Sequence, residues 1–172
     1  MNESSPSENG TRIVRTLTIA AEPEQILDAW CDVNVQRQIL DGAAELLTGD
    51  GCHAVWRLHL PLDQRAEFTH SRVEARLGQS VRYAGRGEHG LQVESLLQVA
   101  PAPGTYGCEA TLVIDHRIDG GVLAQAIAKL AGPAPDMLAG KALRRLKAWL
   151  EAGEVPSLHR NPSGRQTRDQ NA

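Results

Sequence analysis

From Arg12 to Ile19 the chain sets Ile13, Arg15, Leu17 and Ile19 against Val14, Thr16 and Thr18. This is the two-residue rhythm of a β-strand rich in β-branched side chains. Pro23 followed by Glu24 and Gln25 then opens a helix, with proline in the first turn, acid at the positive end of the dipole, and Ile26, Leu27 and Trp30 as its apolar face. A second helical turn is expected over 35–40. From there to Ile118 the pattern is strand and turn repeated six times, over 44–47, 52–60, 65–76, 80–85, 91–100 and 106–118. The breaks carry Gly49-Asp50-Gly51, Pro61-Leu62-Asp63, Leu77-Gly78, Gly87 to Gly90 and Pro101 to Gly104, which is hairpin chemistry and predicts an antiparallel meander.

After Asp119-Gly120-Gly121 the period turns helical: Leu123, Ile127 and Leu130, then Leu138, Leu146, Trp149 and Leu150, form one apolar stripe. Gly132-Pro133-Ala134-Pro135 interrupts it and must kink or break the helix, because each proline removes a donor and crowds the preceding turn. The order β, α, α, six strands, long helix is an α+β design, in which a bent sheet laid on one amphipathic helix leaves room between the two. Residues 1–10 and 156–172 are too poor in apolar side chains to offset the entropy of ordering and are expected to be disordered tails around one domain at 11–155. A length of 172 residues suits one domain.

Composition narrows the function classes. A net charge of -3, without a basic stretch interleaved with aromatics, gives nothing to attract nucleic acid. Cys31, Cys52 and Cys108 are odd in number and widely spaced, so neither a disulfide framework nor a zinc site is expected, and a cytoplasmic protein without cofactor or metal fits best. No run approaches the ~20 apolar residues of a membrane helix. There is no nucleophile elbow, H-E-x-x-H or P-loop. Gly85-Arg-Gly87-Glu-His-Gly90 spells G-x-G-x-x-G, but a strand follows it where a dinucleotide site needs a helix, so it reads as a hairpin turn whose glycines tolerate positive φ.

Three segments carry a family likeness: RTLTIAAEPEQILDAWCDVN at the start, AVWRLHLP around Trp56, and LAGPAPDMLAGKALRRLKAWLEAGEVPSLHRNPSGR at the close. In these the chain resembles the START-like (SRPBCC) superfamily, in its bacterial polyketide cyclase/dehydrase-type branch, over roughly residues 12–165. The closing segment is the most specific of the three. The resemblance implies a helix-grip fold: a curved antiparallel sheet wrapped on a long, Pro-kinked C-terminal helix around an apolar cavity. Ile118-Asp119-Gly120-Gly121 departs from the proline-glycine pair common there in relatives, which puts the shape of the cavity mouth in question. The superfamily holds lipid and hormone carriers, aromatic polyketide cyclases and adaptors, so the scaffold alone selects no activity.

Candidate residues follow from strand phase. His53 and His59 share a face six residues apart, ~20 Å along the strand and too far for one metal, and read as solvated. Glu94 and Glu109 are out of phase with the apolar positions, and Lys141, Arg144, Arg145 and Lys147 read as ordinary helix surface near the negative end of the dipole. His70 is in phase with Ala66 and Phe68, and His116 with Leu112 and Ile114, so both are candidates to point inward, as functional groups or as satisfied rim histidines. Tyr83 and Ser95 also fall on interior faces, with either a backbone carbonyl or a ligand oxygen as partner. Trp56 and Phe68 are core residues or, given the family likeness, cavity wall.

The leading expectation is a pocket for a small apolar molecule (polyketide, isoprenoid or lipid-like) lined by Trp56, Phe68, Tyr83, Ser95, Leu97, Leu112, Ile114, Ile127 and Leu130. The alternatives are a cyclase or dehydratase with His70 or His116 as general base and Tyr83 as oxyanion donor, and an adaptor that holds a protein partner.

Overall fold

The computed structural model describes residues 10–59, 63–118 and 134–155. Seven strands, β1 (Gly10–Ile19), β2 (Ala44–Gly49), β3 (His53–His59), β4 (Arg65–Arg76), β5 (Ser80–Gly87), β6 (Gln92–Pro101) and β7 (Cys108–Arg117), form one antiparallel sheet in the order β1-β7-β6-β5-β4-β3-β2. The meander from β2 to β7 is the expected one, and β1 closes it by pairing with β7 from Gly10↔Arg117 to Ile19↔Cys108. Register shifts at Leu46/Thr48 and Arg72/Glu74 mark bulges that bend β2 and β4.

Helices α1 (Pro23–Cys31) and α2 (Val33–Ile39) follow β1, and α3 (Ala134–Ala152) ends the fold. Pro23 opens α1, where Gln25 Oε1 accepts from the Glu22 amide at 3.0 Å. Asp32 separates α1 from α2, its Oδ1 accepting from the Asn34 amide at 2.8 Å. Pro135 falls in the first turn of α3, where its missing donor removes no helical bond. The expected helix before Gly132, with Ile127 and Leu130, lies outside the described residues, as do both expected tails apart from Gly10.

Helix α3 packs along β1 and against α1 and α2, all on one face of the sheet, which gives the α+β arrangement of a helix-grip fold. Its buried positions are Ala139, Ala142, Leu143 and Leu146. Leu138, expected in the stripe, is 41% exposed, because the helix turns Ala139 and Ala142 toward the sheet instead. The main core joins β1, α1, α2, α3 and the middle strands through residues such as Ile19, Ile26, Leu97, Leu112 and Leu146, while Ala66 with Leu91 and Ala54 with Trp56 form two smaller clusters at the other end of the sheet.

Two of the four basic residues of α3 hold the fold together, contrary to their expected role as plain surface. Arg145 donates through Nη1 to the carbonyls of Ile39 at 2.9 Å and Asp41 at 2.7 Å, placing a cation on the open end of α2. Lys147 donates to the carbonyl of Thr18 at 2.9 Å.

Candidate functional site

An apolar cavity of about 180 Å³ lies where the three clusters fail to merge, and its wall draws on all of them. Trp56 and Leu58 of β3, Phe68 and His70 of β4, Val93 and Ser95 of β6, and Leu112 and Ile114 of β7 form the sheet side. Trp30, Gln36, Ile39, Leu40, Leu138, Ala139 and Ala142 close it from the helices, with Ala43 and Ala44 at one end. Small side chains on α3 are one physical source of the space, since an alanine helix face cannot reach across to the sheet. On the other side, β5 presents Gly85 and Gly87, and Phe68 lies over both: a Cβ on Gly85 would sit 3.1 Å from Phe68 Cδ2, and one on Gly87 3.0 Å from Phe68 Cβ. These two glycines therefore serve close approach within β5, and the left-handed conformation expected of the Gly-rich stretch belongs to Gly90, with φ of 72°. The segment Glu88–Gly90 is a single 3₁₀ turn of the β5–β6 connection.

Among the described residues no Asp, Glu, Lys or Arg lines the cavity. His70, the one titratable side chain among the described wall residues, has its pKa pushed down to about 4 by burial, so the imidazole is neutral at pH 7. The ring stacks on Tyr83 with centroids 4.5 Å apart and meets Phe68 edge-on at 6.0 Å. Neither ring nitrogen has a hydrogen-bond partner among the described residues, and the same holds for the Ser95 hydroxyl. Gln36 Nε2 donates to the Trp30 carbonyl at 2.7 Å. Trp56 is 1% exposed and its Nε1 is buried without a partner.

The structure brings together six of the residues expected to line a pocket: Trp56, Phe68, Ser95, Leu112, Ile114 and, from the catalytic candidates, His70. Tyr83 and Leu97 are not on the wall. Leu97 is fully buried in the main core, and Tyr83 is buried beside it, donating its hydroxyl to the Gly51 carbonyl at 2.8 Å. Burial raises the Tyr83 pKa further, and the group is a structural anchor. His116 is in phase with Ile114 but lies at the end of β7, opposite Thr11 and Val93 and outside the apolar cavity, half-buried beside a surface groove with Arg12, Glu94 and Asp115. Burial lowers its pKa while Asp115 opposes the shift. Wall residues that the strand phase did not single out come mostly from helices: Gln36 and Ile39 stand three apart on α2, and Ala139 and Ala142 three apart on α3, a spacing that signals a shared face but not what the face meets.

A wider groove of about 650 Å³ opens between α2, β2 and the end of α3, lined by Asn34, Arg37, Asp41, Glu45, His59 and Arg145 among others. Its charges are mixed, and Arg145 is committed to the α2 carbonyls. His53 and His59 are both exposed, and His53 Nδ1 is 2.6 Å from Ser71 Oγ. Among the described residues no cluster of three or more His, Cys, Asp or Glu could hold a metal, and no helix is long and apolar enough to cross a membrane.

The β2–β3 turn, β4 and the end of α1 meet beside Tyr83. Gly51 abuts the last turn of α1, where a Cβ would clash with the Cys31 carbonyl oxygen. Arg72 donates to Cys52 Sγ at 2.9 Å. In the same turn Asp50 Oδ1 accepts from the amides of Cys52 at 2.7 Å and His53 at 2.9 Å, which lowers its pKa.

No family model and no curated protein matches the chain. Solved structures do. The KanY protein (ms6282), solved in solution, is 24% identical, with 82% of this chain and 97% of that chain covered and a TM-score of 0.63. CV1439 from Chromobacterium violaceum is 21% identical over 83% of this chain and 98% of that one, with a TM-score of 0.59. DR_A0006 from Deinococcus radiodurans is 16% identical over 83% and 99%, with a TM-score of 0.61. The chain shares the fold of these bacterial proteins. Each match spans nearly the whole of the neighbour, and at such identities the likeness concerns fold alone.

Proposed function

We propose that this chain is a START-like domain of the cytoplasm that binds a small apolar molecule in the cavity between sheet and α3, without catalysing a reaction. The observation that carries the reading is a space of about 180 Å³ whose described wall residues bear no charge at pH 7. An apolar cavity of ~150 Å³ in another protein stays dry and takes up benzene, because water there has too few partners. A guest of one or two rings is the matching size, held by apolar burial at roughly 25 cal/mol per Å² before the costs of association.

The cyclase or dehydratase reading retains one supporting feature, a neutral imidazole on the cavity wall. Two features weigh against it. A base with a pKa of about 4 is a weak proton acceptor at neutral pH. Tyr83, the intended oxyanion donor, has its hydroxyl on the Gly51 carbonyl. An adaptor role would suit a solidly packed interior better than this one.

Native mass spectrometry and thermal-shift measurements against small aromatic and alicyclic compounds test the binding reading. Bound mass and a raised Tm, both lost when Trp56→Ala reshapes the wall, are expected. A panel that produces neither result refutes it.

A further inference from the structure

The cavity wall is apolar but not uniformly so. Two polar side chains, His70 on β4 and Ser95 on β6, line it with no hydrogen bond to any described residue, and neither is sealed off from the space as Trp56 Nε1 is. They are two strands apart, ~10 Å across the sheet. The strand between them places Gly85 opposite His70 and Tyr83 opposite Ser95. Gly85 contributes no side chain there, and the Tyr83 ring is held flat against His70 with its hydroxyl turned to Gly51. The imidazole is thus fixed in orientation by stacking, with both ring nitrogens unused. A polar group in an apolar setting costs free energy unless it is hydrogen-bonded. Neutral imidazole offers one donor and one acceptor, and a hydroxyl offers both. The described residues of the wall include no ion to balance a charged guest, and an uncompensated charge inside such a wall is far more costly than an unpaired dipole.

Building on the binding reading, we infer that the guest is an uncharged ring compound bearing a carbonyl or hydroxyl oxygen, which hydrogen-bonds to His70 or Ser95 while its ring fills the space under Ala139 and Ala142. Hydrocarbons fit the space but leave these two groups unpaired, and carboxylates of the same shape are excluded.

Ethylbenzene, acetophenone and benzoate, alike in size, serve as probes at pH 7, with dissociation constants measured by NMR titration for wild type, Ser95→Ala and His70→Phe. The ratio of acetophenone to ethylbenzene affinity is expected to fall about 3- to 10-fold in at least one variant, as loss of one hydrogen bond requires. Benzoate is expected to bind wild type at least 10-fold more weakly than acetophenone. In wild type the His70 ring ¹⁵N or Ser95 amide signals should move with acetophenone and not with ethylbenzene, a readout that stands even if a variant does not fold. If ethylbenzene binds but the ratio is constant and these signals respond to both probes alike, the inference is overturned and the binding reading survives. Benzoate binding as tightly as acetophenone also overturns it. If neither neutral probe binds, the binding reading itself fails.

Discussion

The imidazole of His70 lies 17° from parallel to the ring of Tyr83, at a centroid distance of 4.5 Å. The stack fixes a histidine inside an apolar wall, and burial there moves its pKa from 6.5 to about 4. A lowered histidine pKa means that the folded protein refuses a proton that the unfolded chain accepts. Stability from this source is complete above pH 6.5, declines as pH falls toward 4, and loses nothing further below that. The full span is on the order of 3 kcal/mol. Urea unfolding of wild type at pH 7 and pH 5 should show about half of this loss, and His70→Phe should remove it while keeping a ring against Tyr83. His116, also lowered, leaves a smaller residual slope. Equal pH dependence in both proteins would contradict the assignment.

Ala142 is 5% exposed and faces the cavity. Replacing it with leucine puts a branched side chain into existing space, so Ala142→Leu should keep or raise the unfolding free energy, within about 1 kcal/mol, and abolish uptake of a fluorescent apolar probe. Unaltered probe affinity in a folded Ala142→Leu protein would show that the probe binds elsewhere.

Glycine at position 51 is required by contact rather than by conformation. A Cβ there would clash with the Cys31 carbonyl oxygen; the first is fixed by the Gly51 Cα and the second is backbone, so neither can swing away. Gly51→Ala should therefore destabilise by about 3 kcal/mol or more. Gly42, with φ of 81° and nothing within 4 Å, provides the contrast: Gly42→Ala should cost only about 1 kcal/mol of backbone strain. Thermal unfolding of the two variants side by side decides the matter, and equal losses would refute the packing argument.

Arg145 ties α3 to the end of α2, whereas Lys141 four residues earlier is exposed. Loss of charged hydrogen bonds to two carbonyls predicts about 2 kcal/mol of destabilisation for Arg145→Met, against less than about 0.5 kcal/mol for Lys141→Met. Chemical denaturation curves that fail to separate the two substitutions would show that the Arg145 contacts contribute nothing.

The strands were legible because alternation, β-branched enrichment and hairpin breaks agree along the chain; observed bounds differ from the expected ones by two residues at most, and those of β4 coincide. In the site, phase arguments placed Trp56, Phe68, His70, Ser95, Leu112 and Ile114 on the face that does line the cavity. The same arguments failed for Tyr83 and Leu97, which share that face but sit where the helices press onto the sheet. Strand phase states which face a side chain points from and says nothing of what lies opposite. His116 shows the same limit at the end of its strand.

Local sequence determined the order of the elements, the antiparallel meander and the inward face of each strand, since these follow from periodicity and turn chemistry within short windows. The tertiary structure decided where the interior closes and where it stays open. That depends on distant partners: Ala139 and Ala142 of α3 come to line one cavity with residues of β4 and β6, Phe68 covers the glycines of β5, and Arg145 meets the end of α2. A cavity is a shortfall of volume between surfaces far apart in the chain, and no single segment encodes it.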